Sequence, residues 1–344
     1  GLAAFVQTGC STCHNWPLVG GRTVQRFGLL APYWEATRSS AIDLGKAEKT
    51  GKAEDIRNPA KTAEIVGKVV QASQTDVVAL RTDGHNRMTV PVRVLDQGPF
   101  QFLIDTGAQN TVISKALASK LALIPNRRAK LVGVAGSEMV DTVDIDQIDL
   151  GRRSYYGVLA PLLDAEHIGA DGIIGLDSLQ EQRVLMDFRK GLMAINDAKT
   201  LGGNSGYDIV VTARRMSGQL IMTDAVIDGI RTAVVIDTGA ENSIGNLPLQ
   251  KALAKRGNHG TTTLSSVTGQ SIEAQIGFGR VLKIQDMQLN NVWIAFAEAP
   301  AFQSLGLEKR PALLLGMHDM RSFDRVAIDF ASRKILFDLP KSAM

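Results

Sequence analysis

The feature that most constrains the fold of this chain is a short motif that occurs twice. Two runs of mostly apolar, β-favouring residues end in Ile-Asp-Thr-Gly-Ala, with Asp105 in the first copy and Asp237 in the second. Such runs predict buried strands. An ionised carboxylate at the end of a buried strand is costly unless it is hydrogen-bonded or its pKa shifts. A single copy would be explained by a turn aspartate, whereas two copies predict that the carboxyl groups work as a pair.

If the two copies pack about a pseudo-twofold axis, Asp105 and Asp237 come together as like charges. Two carboxylates a few ångströms apart cannot both ionise, so the pair holds one proton over a range of acidic pH. One group can then act as a base on a water, and the other as an acid on a peptide carbonyl. The neighbouring hydroxyls and small residues can support the pair by hydrogen bonds across the axis and by close approach of N–H groups; they are Thr106, Gly107, Ala108, Thr238, Gly239 and Ala240.

Further landmarks follow each copy of the motif in the same order. Glycine-bearing segments predict a hairpin tip in each half, and the residues concerned are Val134, Ala135, Gly136 and Ser137, then Val267, Thr268, Gly269 and Gln270. Apolar residues followed by glycine come next, with Ile174 and Gly175 in the first half and Leu315 and Gly316 in the second. Both halves then end on similar sequences, 183–188 and 325–330. This order indicates an internal duplication.

Together these motifs resemble the retropepsin-like aspartic proteases, and in particular the bacterial members of that clan. The resemblance implies an all-β-dominated fold of two tandem acid-protease β-barrel domains with short helices, packed as a pseudo-twofold dimer. It also implies that Asp105 and Asp237 are catalytic, that the two hairpins are substrate-binding flaps, and that the apolar-glycine landmarks pack beside the catalytic turns. With both repeats in one chain, we expect a monomer that contains its own pseudo-dimer.

The chain divides into four parts by composition and by the repeat. We predict an N-terminal extension over 1–74, acting as anchor or linker, with a helix at 59–71. The first repeat is predicted over 75–197 and the second over 207–344. Residues 198–206 contain three glycines and separate the repeats as a flexible linker.

Both cysteines lie in one short segment of the predicted extension, Cys10-Ser-Thr-Cys13-His14. Three interpretations stay open: a site for covalent attachment of c-type haem with His14 as iron ligand, a lipid-bearing Cys10, or a tail with at most a local disulfide. No other cofactor is predicted. The five scattered histidines have no metal-binding spacing, so no metal site is predicted either.

Charge and composition bear on partners and location. The chain has 38 Lys and Arg against 35 Asp and Glu, with both signs scattered and few aromatic residues, which argues against nucleic-acid binding. The apolar start and the cysteine segment favour a periplasmic or cell-envelope location, with an N-terminal membrane tether as one option. The predicted function is an aspartic endopeptidase acting on polypeptides bound extended beneath two flaps. A non-catalytic peptide-binding module and a haem-tethered envelope protein are the alternatives.

Overall fold

The computed structural model describes residues 5–7, 76–79, 81–82, 88–151, 153–253 and 260–340. The expected helix at 59–71 and the segment with Cys10, Cys13 and His14 lie outside these residues. The anchor or linker role predicted for 1–74 concerns almost entirely the same undescribed part of the chain. Within the described part, no helix combines the length and apolar character needed to cross a membrane.

The first half is built mainly of strands. Its strands are β1 (Phe5–Gln7), β2 (Asp76–Ala79), β3 (Arg81–Thr82), β4 (Met88–Val94), β5 (Gln97–Ile104), β6 (Val112–Ser114), β7 (Arg127–Gly133), β8 (Gly136–Leu150), β9 (Arg153–Leu163), β10 (Gly172–Ile174), β11 (Arg183–Asp187) and β12 (Leu192–Asn196). Its helices are α1 (Lys115–Lys120), α2 (Ala165–Ile168) and α3 (Leu176–Leu179).

The second half repeats this order of elements. Its strands are β13 (Ile209–Thr212), β14 (Arg214–Met216), β15 (Gln219–Ile227), β16 (Ile230–Ile236), β17 (Ser243–Gly245), β18 (Thr261–Ser265), β19 (Ser271–Ile284), β20 (Met287–Phe296), β21 (Ala312–Leu315), β22 (Arg325–Asp329) and β23 (Lys334–Asp338). Its helices are α4 (Leu247–Leu253), α5 (Pro300–Ser304) and α6 (Met317–Met320).

Each half folds its large sheet into a closed ring of strands. In the first half the strand order is β1-β7-β8-β9-β6-β10-β5-β4-β3, and β8 also pairs with β4. In the second half the order is β14-β15-β16-β21-β17-β20-β19-β18, and β15 also pairs with β19. Alternating buried and exposed residues along β8 and β19 place one face of each sheet on a core. The predicted fold class of two tandem β-dominated domains is confirmed.

A third sheet joins the two halves. Its strand order is β13-β23-β22-β11-β12-β2, which is symmetric about the central antiparallel pair of β11 and β22. The similar closing sequences of the two halves form this pair, with Arg183 opposite Asp329 and Asp187 opposite Arg325. Arg183 Nη2 lies 2.8 Å from Asp329 Oδ2, and both side chains are fully buried. The repeats therefore share a sheet and a buried ion pair.

The tips of the two predicted flaps pack into opposite halves. We call the β7–β8 pair hairpin 1 and the β18–β19 pair hairpin 2. Val134, in the turn of hairpin 1, is buried in an apolar cluster of the second half. Val267, in the turn of hairpin 2, is buried in an apolar cluster of the first half that also contains Ala108. Each tip is thus held by the repeat to which it does not belong.

Two local features differ from the sequence-based expectation. Because Gly133 pairs with Gly136, the turn of hairpin 1 consists of Val134 and Ala135, and Ser137 lies in β8 opposite Val132 instead of at the tip. The sequence after Asp237 predicts a weaker strand than the one after Asp105, yet β17 has the same three-residue length as β6. Pairing of β17 with both β20 and β21 explains why its local sequence does not decide its length.

Candidate active site

Strand pairing fixes the backbone of both motif aspartates. The strand β10 runs parallel to β5, so the N–H of Asp105 donates to the carbonyl of Ile174 over 3.1 Å. In the second half β21 runs parallel to β16, and the N–H of Asp237 donates to the carbonyl of Leu315 over 3.0 Å. The apolar residue of each landmark therefore positions the aspartate of the same half.

The glycines of these landmarks allow a close backbone approach. A Cβ atom at Gly175 would collide with the backbone of Asn110, and one at Gly316 would collide with the backbone of Asn242. Immediately after each glycine, the N–H of Leu176 donates to the carbonyl of Ala108, and the equivalent bond in the second half has the same 2.9 Å length. The landmark and the aspartate turn thus form one hydrogen-bonded unit in each repeat.

Both carboxyl groups are buried and held by backbone donors. Asp105 is 1% exposed and Asp237 is fully buried. Oδ1 of Asp105 accepts hydrogen bonds from the N–H groups of Gly107 at 2.7 Å and Ala108 at 3.1 Å. Oδ1 of Asp237 accepts the matching bonds from Gly239 at 3.0 Å and Ala240 at 3.2 Å. The same oxygen of each group is therefore fixed by two donors.

The two threonines after the aspartates link the halves across the approximate twofold axis. The N–H of Thr106 donates to Oγ1 of Thr238 over 2.9 Å, and the N–H of Thr238 donates to Oγ1 of Thr106 over 3.2 Å. The hydroxyl of Thr106 donates to the carbonyl of Ile236, and that of Thr238 to the carbonyl of Ile104. This buried network holds the two aspartate turns in contact.

The carboxyl groups themselves meet between these turns. A Cβ atom at Gly107 would lie 2.6 Å from Oδ1 of Asp237, and one at Gly239 would collide with the carboxyl group of Asp105. Burial raises the pKa of Asp237 well above its ordinary value, and the nearby charge of Asp105 raises it further. The hydrogen bonds from Gly239 and Ala240 oppose that rise. The arrangement favours a pair of carboxyl groups that keeps one proton in the acidic range.

The hairpin tips contact each other and the opposite wall. The side chain of Gln270 lies against Gly136, and the ring of His167 in α2 lies against Gly269. Thr268 and Val267 line a small cavity together with His167. The residues predicted at both tips are therefore brought together in one region, apart from Ser137, which is exposed on β8.

The structure also places residues near the site that the sequence did not single out. Gln219, in β15, is buried and donates from Nε2 to the carbonyl of Gly107 over 2.5 Å. Asp319, in α6, accepts a 2.5 Å hydrogen bond from the hydroxyl of Ser243, and burial raises the pKa of Asp319 to about 7. In the first half the counterpart of Ser243 is Thr111, whose N–H and hydroxyl bond to Asp177, one position before the counterpart of Asp319. An acidic residue soon after each landmark glycine is the sequence signal for these contacts.

The comparisons with known proteins agree with this geometry. A family model described as gag-polyprotein putative aspartyl protease matches residues 90–181, and one described as aspartyl protease matches residues 223–318. Together the two matches cover more than half of the chain. The chain therefore belongs to the retropepsin-like aspartyl proteases. Within that class it carries two such domains in tandem, as predicted.

One curated relative is "Protein DNA-DAMAGE INDUCIBLE 1" of Arabidopsis thaliana. It is 22% identical over 199 residues, which are 56% of this chain and 45% of the plant protein. The match thus spans less than half of the relative's length. The predictions of haem or lipid at Cys10, Cys13 and His14, of the localisation and of the oligomeric state stay predictions.

Proposed function

We propose that this protein is an aspartic endopeptidase with one active site per chain, formed by Asp105 and Asp237. The observation that carries the proposal is the matched pair of buried carboxyl groups. Each is fixed through Oδ1 by two backbone donors, and the two lie within interaction distance of each other. Burying two like charges costs free energy, and a protein that only binds peptides has no need to do so.

The proposed mechanism uses the shared proton. The ionised carboxylate takes a proton from a water molecule, whose oxygen attacks the peptide carbonyl carbon, while the protonated carboxyl group donates its proton to the carbonyl oxygen. A tetrahedral diol results. When the diol collapses, its C–N bond breaks. One diol hydroxyl gives its proton to the ionised carboxylate, and the protonated carboxyl group gives its proton to the leaving nitrogen. Because the two groups titrate as a unit, the roles of base and acid belong to the pair.

The two hairpins supply the proposed flaps over the substrate. A peptide would lie extended between them and the aspartate turns, bound as an added strand with alternate side chains directed to either side. Since Val134 and Val267 are buried in the opposite repeats, a substrate enters only after the tips separate. We therefore propose that hairpin opening is a step in every turnover.

The test is cleavage of a randomised peptide library between about pH 3.5 and about pH 7.5, where a carboxyl pair changes protonation. Wild type is compared with Asp105→Asn and Asp237→Asn, and with Asp146→Asn as an exposed control on β8. Folding of each variant is checked by circular dichroism. We expect cleavage by wild type and the control and none by either pair variant. Absence of cleavage by folded wild type, with retained peptide binding, would replace the proposal with the non-catalytic binding module.

A further inference from the structure

The outer edge of hairpin 1 carries a strand from far upstream in the chain. The strand β1 pairs in parallel with the end of β7, with Phe5 opposite Leu131, Val6 opposite Val132 and Gln7 opposite Gly133. The other edge of β7 is occupied by β8. Thus β1 is an added strand on the proposed flap, which is the mode by which an extended peptide binds a sheet edge.

The second half of the chain flanks this added strand. The helix α5 packs against both β7 and β1, so β1 lies beside elements of both repeats. Ser304, the last residue of α5, lines a cavity of ≈ 440 Å³ together with Gln109 and Asn110 of the first aspartate loop and with Ser217 and Gly218. The helix α5 therefore borders both the added strand and a cavity beside the first aspartate loop.

The direction of β1 matters as much as its place. Because β1 is parallel to β7, it runs toward the turn of hairpin 1, whose Val134 is buried against the second half. A peptide that crosses the approximate twofold axis must run parallel to one flap strand and antiparallel to its symmetry mate. The strand β1 has the parallel one of these two orientations.

We propose that the segment Phe5–Gln7 is an intramolecular ligand of the groove, which occupies the strand-addition site on hairpin 1 and inhibits the protease until it is displaced. This inference rests on the proposed function, because inhibition presupposes a peptidase. Main-chain pairing supplies the binding, so the segment competes with any peptide that uses the same flap edge.

Tethering makes weak pairing effective. At an effective concentration on the order of 1 mM, a segment with a dissociation constant of about 0.1 mM occupies the site about ten times more often than it leaves it free. An intramolecular competitor of this strength raises the apparent KM about tenfold and leaves kcat unchanged. The expected effect of releasing the segment is therefore a KM that is about tenfold lower.

The test introduces adjacent prolines into the full chain. The variant Phe5→Pro/Val6→Pro removes two consecutive N–H groups. In a parallel pair every second residue of a strand donates its N–H to the neighbouring strand, so one of these two N–H groups donates to β7. The control, Val24→Pro/Gln25→Pro, places the same pair of prolines outside β1. We expect the first variant alone to show the lower KM. A synthetic peptide of residues 1–9 should then restore inhibition competitively, and a fluorescent form of it should bind this variant at least about fivefold more tightly than wild type.

Two results would overturn the inference. One is equal KM values for wild type and both proline variants, and the other is equal binding of the labelled peptide to wild type and to Phe5→Pro/Val6→Pro. The binding measurement needs no catalysis. If no variant cleaves any peptide but the labelled peptide still discriminates, the proposed function fails while the occupancy of the flap edge by Phe5–Gln7 stands.

Discussion

Replacing Asp319 by asparagine should change how the stability of this protein depends on pH. The carboxyl group of Asp319 is buried in α6 and receives one hydrogen bond, from Ser243, whose own oxygen accepts the N–H of Gly316. Burial outweighs that bond and raises the pKa of Asp319 from 3.8 to about 7. Asparagine is close in shape, and its carbonyl oxygen can accept the same hydrogen bond from Ser243, but it cannot ionise.

Proton binding determines whether the free energy of unfolding rises or falls with pH. Between about pH 4 and about pH 7 the folded protein holds a proton on Asp319 that the unfolded chain has released, so the free energy of unfolding falls as pH rises through this window. The stability that protonated Asp319 contributes is fully present below this pH window and is lost above it. A pKa difference of about 3 corresponds to about 4 kcal/mol. Because wild type and Asp319→Asn share Asp105 and Asp237, the effect of that pair cancels in their difference.

The assay is urea unfolding of both proteins at intervals from about pH 4 to about pH 8. We expect the free energy of unfolding of Asp319→Asn, minus that of wild type, to increase by about 4 kcal/mol across this range. Asp146→Asn should follow wild type at every pH, because Asp146 is exposed on β8. A difference between Asp319→Asn and wild type that stays constant from the lowest to the highest pH would refute the reasoning.

Two further substitutions test the contacts between the repeats. Arg183→Ala should lower the free energy of unfolding by about 3–5 kcal/mol in urea titrations, because it leaves buried Asp329 without its ion-pair partner; a loss below about 1 kcal/mol would show that this ion pair does not hold the shared sheet. Thr238→Val should cost about 1–3 kcal/mol, because it removes the bond to the carbonyl of Ile104 and the acceptor for the N–H of Thr106. The matched variant is Thr111→Val, because the hydroxyl bonds of Thr111 remain within the first repeat. If the cross-axis network has a special role, Thr238→Val loses more peptidase activity than Thr111→Val. An equal loss of peptidase activity in these two variants would contradict that role.

Much of the site could be predicted from sequence because its determinants are local. An apolar strand followed by Asp-Thr-Gly-Ala specifies where a carboxyl group leaves a sheet, and the next two N–H groups reach its Oδ1 within the same turn. The landmark glycines can also be recognised in the sequence. The structure shows why glycine is needed there, because a Cβ atom at Gly175 would collide with the backbone of Asn110. Two copies of each signal implied a symmetric partner.

Other features depend on tertiary register and left little local signal. The pairing of β11 with β22 and the burial of Arg183 follow from how the halves meet, and the sequence showed only that the two strands are alike. The high pKa of Asp319 depends on its burial beside Ser243. In the sequence Asp319 is only an aspartate in the first turn of a helix, which is a common position for an acidic residue. The sequence predicts the turn of hairpin 1 one residue too late, because Gly136 indicates a tip, whereas strand pairing continues to Gly133 and Gly136 and leaves Val134 and Ala135 as the turn.

The central claim is that Asp105 and Asp237 of one chain form one active site. The measurement that tests it most directly is the peptidase activity of Asp105→Asn and Asp237→Asn, each alone and after the two proteins are unfolded and refolded together. The account predicts that each variant alone loses at least about 100-fold in kcat and that the co-refolded mixture recovers nothing, because every chain carries one altered carboxyl group. Activity in either variant alone, or recovery in the mixture through exchange of repeats between chains, would contradict it.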